Sequence, residues 1–354
     1  MNEIMLQEIH DQPRILKIAI PDLRQQAALL QLPKDLHKVI LTGSGDSYIA
    51  ALACERLFRV HTNLEVRALP AIDASRYETY DRHSILAVIS ISGGVSRPIE
   101  AALRAKAQGA YVIAVSANPE SQLAQSSSSK LIMPKPIARH TPHSRDYTLT
   151  LASLAVLLER IIEKDLKPLA AWPEAVDETI ERSFTQVSMT IRRAKRTWFL
   201  GAGPDRATAL YGALKYWEGG AMNAWSEDLE EFAHGAKEIT HKGDAVVIVA
   251  SGESVGRAIE MLPGMKQIGV KPWIITDSIP NHKPTYFEVP RFAGPEWMPF
   301  VSCIPIQVLT HYASVKRGVE AALPVSSDPH SMSLEAVHVE WTKGSKILDG
   351  GYDF

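Results

Sequence analysis

Short apolar runs recur along the chain, several closing on glycine or serine, and alternate with helical patterns of roughly twelve residues. In the first half they span Lys38 to Thr42, Ser84 to Ile91 and Tyr111 to Val115; in the second, Thr197 to Leu200, Asp244 to Ala250 and Pro272 to Thr276. Ala/Leu-rich helical patterns follow at Tyr48 to Leu57 and Ala207 to Trp217. Strands that stay apolar throughout, alternating with helices, predict βαβ units and a parallel sheet covered on both faces.

The two halves echo each other. Gly43-Ser44-Gly45-Asp46-Ser47 is matched by Gly201-Ala202-Gly203-Pro204-Asp205, 158 positions on, and Ser92-Gly93 by Ser251-Gly252, 159 positions on. Matches in order at a nearly constant offset indicate a duplicated domain. The pattern predicts a helical arm over 1–30, a first α/β domain over 31–165, a second over 175–325 and a tail of little periodicity over 326–354. Lys164 through Lys167-Pro168 to Trp172-Pro173 reads as the linker, and Ser126 to Ser129 as a loop.

Composition narrows the function. The 354 residues are 45% hydrophobic and 22% charged, ordinary for a folded protein, and the formal charge of −2 argues against nucleic acid as the main partner. The one dense basic cluster, Arg192, Arg193, Lys195 and Arg196, reads as a solvated helix end. Cys54 and Cys303 stand far apart in apolar contexts and read as buried thiols. No signal segment or membrane span is visible, which makes the cytoplasm the expectation. The histidines, His140 and His143 included, show no metal-ligand spacing; neither a metal nor another cofactor is expected.

Two strand-to-helix loops of the first half have the makings of an anion cradle. Gly43 and Gly45 permit a tight turn, and Ser47 opens a helix whose first amides lack intrahelical partners. Ser90, Ile91, Ser92, Gly93 and Ser96 form the second loop. The plainer account of either loop alone is a tight turn and a helix cap. No third glycine completes a dinucleotide fingerprint, which disfavours a nucleotide-binding protein. Further on, Glu218 ends an apolar helix pattern beside Trp217, surroundings that favour a general base, and His234 precedes Gly235; the plainer account of the two is a surface helix residue and a loop histidine.

These residues resemble the sugar isomerase (SIS) family, most closely the isomerase half of glucosamine-6-phosphate synthase and the single-chain phosphosugar deglycases. The resemblance covers nearly the whole chain and implies two tandem SIS domains, each a three-layer α/β/α fold around a mainly parallel sheet. It begins at Glu8-Ile9-His10-Asp11-Gln12-Pro13, which looks like the synthase's helical arm. Ser44-Gly45-Asp46-Ser47 resembles the family's first sugar-phosphate loop, and Ser90-Ile91-Ser92-Gly93 the second. Gly212-Ala213-Leu214-Lys215 through His234-Gly235 is similar to the stretch carrying the proton-transferring glutamate, here Glu218, and the ring-opening histidine, here His234, which the family draws from a neighbouring subunit.

The chain also departs from the pattern. Ile91 replaces a glutamine, Val95 a threonine whose hydroxyl Ser96 would supply instead, and Trp217 a lysine. The family's C-terminal lysine falls at Glu335, with Lys343 and Lys346 nearby. The glutaminase half and its cysteine nucleophile are absent, which speaks against ammonia transfer from glutamine. The resemblance implies a homodimer with a shared site, acting on a phosphorylated sugar or amino sugar as an isomerase, deaminase or deglycase that moves a proton between carbons 1 and 2. Arg145 would add charge near the substrate or make a surface salt bridge. The alternative is a non-catalytic sugar-phosphate sensor.

Overall fold

The computed structural model describes residues 3–137, 142–187, 194–219, 223–278, 286–317 and 329–350. The chain divides into two compact units. The first module comprises Ile15–Ile137, Asp146–Leu166 and Leu323–Phe354, and the second Met1–Arg14, Ala138–Arg145 and Lys167–Ala322. Helix α1 (Glu3–Ala28) contributes its opening turns to the second module and the remainder to the first.

In the first module, strands β1 (Lys38–Gly43), β2 (Glu65–Pro70), β3 (Ser84–Ile89), β4 (Tyr111–Ser116) and β5 (Ser129–Ile132) form a parallel sheet in the order β2-β1-β3-β4-β5. Helices α2 (Asp46–His61), α3 (Ala71–Arg76), α4 (Ser96–Ala107), α5 (Gln122–Ser126) and α6 (Ser144–Ile162) accompany it. Every residue of β3 is buried, as a strand covered on both faces requires. Ile40, Leu86, Val88, Val112 and Ala114 form one core cluster with Ile99, Ala102 and Ala105 of α4. Each large aliphatic side chain buried there stabilises the module by about 1.5–3 kcal/mol before the entropy of ordering it is counted. At the edge strand β5, the side chain of Gln26 stands in for a neighbouring strand. Its Oε1 accepts the Ile132 amide (2.7 Å) and its Nε2 donates to the Ile132 carbonyl (3.0 Å).

The second module repeats the plan. Strands β6 (Arg196–Gly201), β7 (Asn223–Asp228), β8 (Ala245–Val249), β9 (Lys271–Thr276) and β10 (Tyr286–Glu288) run parallel in the order β10-β9-β8-β6-β7. Helices α7 (Lys167–Gln186), α8 (Asp205–Glu218), α9 (Glu231–His234), α10 (Ser254–Ile268) and α11 (Pro299–Arg317) accompany this sheet. Trp172 is fully buried and donates its indole N–H to the Phe300 carbonyl at 2.8 Å. Both cysteines are buried and unpaired; burial pushes the Cys54 thiol pKa up and that of Cys303 to about 12. None of the described helices is long and apolar enough to cross a membrane.

Three local expectations fail. The stretch read as a linker is mostly helix: α7 begins at Lys167, with Pro168 in its first turn, where no amide is needed, and Pro173 further along. Only 163–166 lie between α6 and α7, where the two units also part. The tail carries helix α12 (Pro329–Lys343), whose described side chains are mostly exposed and so leave no periodic signature. The serine run ends in a strand, since Ser129 opens β5. Arg192, Arg193 and His140 lie outside the described residues.

Candidate functional site

Each sheet reverses its strand order beside its first strand, between β1 and β3 and between β6 and β8. Parallel sheets open a crevice at the carboxyl ends of strands at such a point. In the first module the loops 43–47 and 90–96 follow β1 and β3, the two strands that flank this point. Gly43 is sterically obligatory, because a Cβ on it would stand 2.5 Å from the Ser47 Cβ and 2.8 Å from the Ser47 carbonyl carbon. Strand end and helix start are therefore in contact, and Ser47 is buried at the opening of α2. In the second loop the Gly93 amide donates to the Ser90 carbonyl, and Gly93 has φ of 64°, a left-handed turn that favours glycine.

The hydroxyls divide into two groups. Those of Ser44, Ser47 and Ser90 have no hydrogen-bond partner among the described residues, while Ser92 Oγ accepts the Gly94 amide at 3.3 Å. Ile91 offers no side-chain donor; its carbonyl accepts the Ala117 amide and the Ser116 hydroxyl. Asp46, next to Ser47, brings a negative charge to the same turn. Ser96 is committed elsewhere, because its hydroxyl donates to the Lys343 carbonyl. Arg97 donates to the Gly344 carbonyl (2.7 Å), and Ser345 donates to buried Glu100, which also pairs with Arg76 and Arg97. The C-terminal segment is thus pinned to the first turn of α4, immediately after the second loop.

In the second module, Glu218 ends α8 with its side chain 38% exposed. The enclosing apolar wall read from Trp217 is not there: the indole is half-exposed and donates to the Ala224 carbonyl. What meets the carboxylate is Lys215, one turn earlier, fully buried, donating to Glu218 Oε2 at 2.5 Å and to the Pro142 carbonyl at 3.1 Å. The Tyr211 ring, one turn before that, lies 5.3 Å from the ammonium. No role was read for Lys215 from the sequence beyond its place in the resembling stretch, although its phase puts it on the buried stripe with Tyr211.

His234 closes the short α9, exposed, with Nε2 3.4 Å from Glu230. Arg257, bonded to Glu230, holds that carboxyl below its ordinary range. No hydrogen bond or ion pair joins His234 to Glu218 among the described residues. Arg145 is buried and bonded to Asp11 of α1 at 3.0 Å, an interior pair rather than a surface one.

The architecture defines a class: duplicated, doubly wound α/β modules, the first with a hydroxyl-lined turn at its switch point. Comparison with known sequences agrees, since the SIS domain profile matches residues 34–160 and 190–284. The chain belongs to the SIS domain family. The glutamine–fructose-6-phosphate aminotransferase (isomerizing) of Sulfurisphaera tokodaii is 27% identical over 330 residues, covering 90% of this chain and 55% of the relative. The chain therefore spans little more than half of that protein. Among solved structures, glucosamine-6-phosphate deaminase from Thermotoga maritima superposes with a TM-score of 0.75 at 19% identity, covering 92% of this chain and 97% of that one. Tagatose-6-phosphate ketose/aldose isomerase from Escherichia coli gives 0.72 at 18%, covering 90% and 94%. At these identities the likeness is one of fold.

Proposed function

We propose that the protein is an enzyme that binds a phosphorylated ketose, aldose or amino sugar and moves a proton between its carbons 1 and 2. The observation that carries this reading is the set of unengaged hydroxyls of Ser44, Ser47 and Ser90 at the first module's switch point, beside the opening of α2. A phosphate there would receive hydroxyl and helix-start amide donors, and binding remote from the reacting carbons supplies orientation. Gly43, Gly45, Gly93 and the Ser92 hydroxyl shape the same loops. Ser96 has no part in holding phosphate while it donates to Lys343.

Glu218 is the base. It removes the proton from one of the two carbons, an enediol or enamine forms, and the proton returns to the other carbon. Isomerisation, deamination and deglycation share this step, because each acidifies a hydrogen next to a carbonyl or imine. Lys215 fixes the orientation of that carboxylate. His234, exposed on its own module, is suited to open the sugar ring from a second copy of the chain, which makes a homodimer the working assembly. The relatives' printed activities, deamination of glucosamine 6-phosphate and ketose/aldose isomerisation of tagatose 6-phosphate, name the substrates to try first.

Glu218→Gln tests the base. After a thermal-shift panel of hexose and amino-sugar phosphates has identified a ligand, the variant should keep its affinity within about threefold and lose turnover by about 100-fold or more. Unchanged turnover would remove Glu218 from the mechanism. Tight binding with no turnover by the unmodified protein would leave a sensor.

A further inference from the structure

The duplication produces two switch points, and their linings differ in kind. Three local features fix which residues correspond. A Cβ on Gly201 would stand 2.5 Å from the Asp205 carbonyl oxygen, as one on Gly43 would meet Ser47. The Ala250 amide donates to the Ile275 carbonyl, as the Ser90 amide donates to that of Val115. Gly252 has φ of 54°, matching 64° at Gly93. Asp205 thus stands where the first module has Ser47, and Ala250 where it has Ser90.

Asp205 is 1% exposed, at the start of α8. Its Oδ2 accepts the Ser251 hydroxyl at 2.8 Å, and its Oδ1 has no partner among the described residues. At the end of the adjacent strand β9, Asp277 adds a second acid, whose only basic contact among the described residues is Arg291 at 3.8 Å. One donor hydroxyl has become a buried carboxyl and another a methyl, whereas the first module's own acid, Asp46, is only partly buried and stands one position before Ser47. A phosphate ester entering this crevice would meet like charge and would displace an internal hydrogen bond.

We propose that Asp205 and Ala250 close the second module's switch point to phosphate esters, so that a chain with two equivalent crevices takes a single phosphosugar. The carboxyl of Asp205 occupies the helix start that an external anion would otherwise use. The inference rests on the reading of the first module's loops as the phosphate site, and the experiment separates the two.

Equilibrium dialysis of the full chain with radiolabelled fructose 6-phosphate at pH 8 counts the sites. The unmodified chain should bind about one equivalent, Ser47→Ala about none, and Asp205→Ser/Ala250→Ser about two. Adding Ser47→Ala to that pair should leave about one. Two equivalents on the unmodified chain, or no gain in the restored pair, would overturn the proposal. No binding by the unmodified chain and one equivalent on the restored pair would defeat the first-module reading while supporting this one. If the restored pair does not fold, Asp205→Asn, which keeps shape and removes charge, should add a weaker second equivalent; its failure to do so also overturns the proposal.

Discussion

Replacing Asp205 by Asn gives the sharpest test of the interior electrostatics. Burial, assisted by the nearby Asp277 and opposed by the Ser251 hydrogen bond, raises the Asp205 carboxyl from its ordinary 3.8 to about 7. The folded chain therefore holds a proton there that the unfolded chain releases near pH 4. The stabilising contribution of that proton is complete below pH 4 and is lost as pH rises through 7. Each unit of displacement corresponds to about 1.4 kcal/mol, so the loss between pH 4 and pH 8 is on the order of 4 kcal/mol. Asn keeps the acceptor facing Ser251 and does not ionise. At pH 4.5 the variant and the unmodified protein should melt within a degree or two of each other. At pH 8.5 the variant should melt higher, by on the order of 10 °C for a cooperative unit of this size. Calorimetric scans at half-unit pH steps would show the two curves diverging on the alkaline side. Curves that stay parallel from pH 4.5 to 8.5 would refute the claim that Asp205 is ionised only at the expense of the fold.

Lys215→Met should lower kcat by about 100-fold with KM nearly unchanged in steady-state assays, because it removes the group that orients Glu218 and leaves the phosphate loops alone; an unchanged kcat would make the ion pair merely structural. Gly43→Ala forces a Cβ into Ser47 and should cost about 1–3 kcal/mol in urea melts. It should also abolish the phosphosugar-induced thermal shift, which a retained shift would contradict. Glu100→Gln breaks buried pairs with Arg76 and Arg97 and weakens the Ser345 contact, costing about 3 kcal/mol. Limited proteolysis should then cut within residues 329–350 faster than in the unmodified chain, and equal cutting rates would argue against the pinning of this segment.

The parts of the fold most legible in the sequence were those with the least choice. β1, β3, β6 and β8 lie at the heart of their sheets, are buried on both faces, and so appear as unbroken apolar runs. The peripheral strands do not: β2 and β7 share a mixed burial pattern, with exposed residues flanking a single buried one, and resemble loops. Proline misled in α7, because a first-turn proline and a linker proline look alike until Trp172 is seen to be buried. The strand-end loops were legible through their glycines and serines. Lys215 was not, because a lysine's solvation depends on what folds over it, and Pro142 is distant in sequence. The commitment of Ser96 to the backbone of residue 343 is likewise a long-range contact with no local sign.

The two thiols have a practical consequence. Each is sealed in the interior with its proton held tightly, so neither offers the thiolate that maleimides and disulfide reagents attack. A single cysteine introduced on the surface would be the one fast-reacting sulfur on the folded chain. Fluorophores or spin labels for following ligand binding can therefore be attached without first removing Cys54 or Cys303.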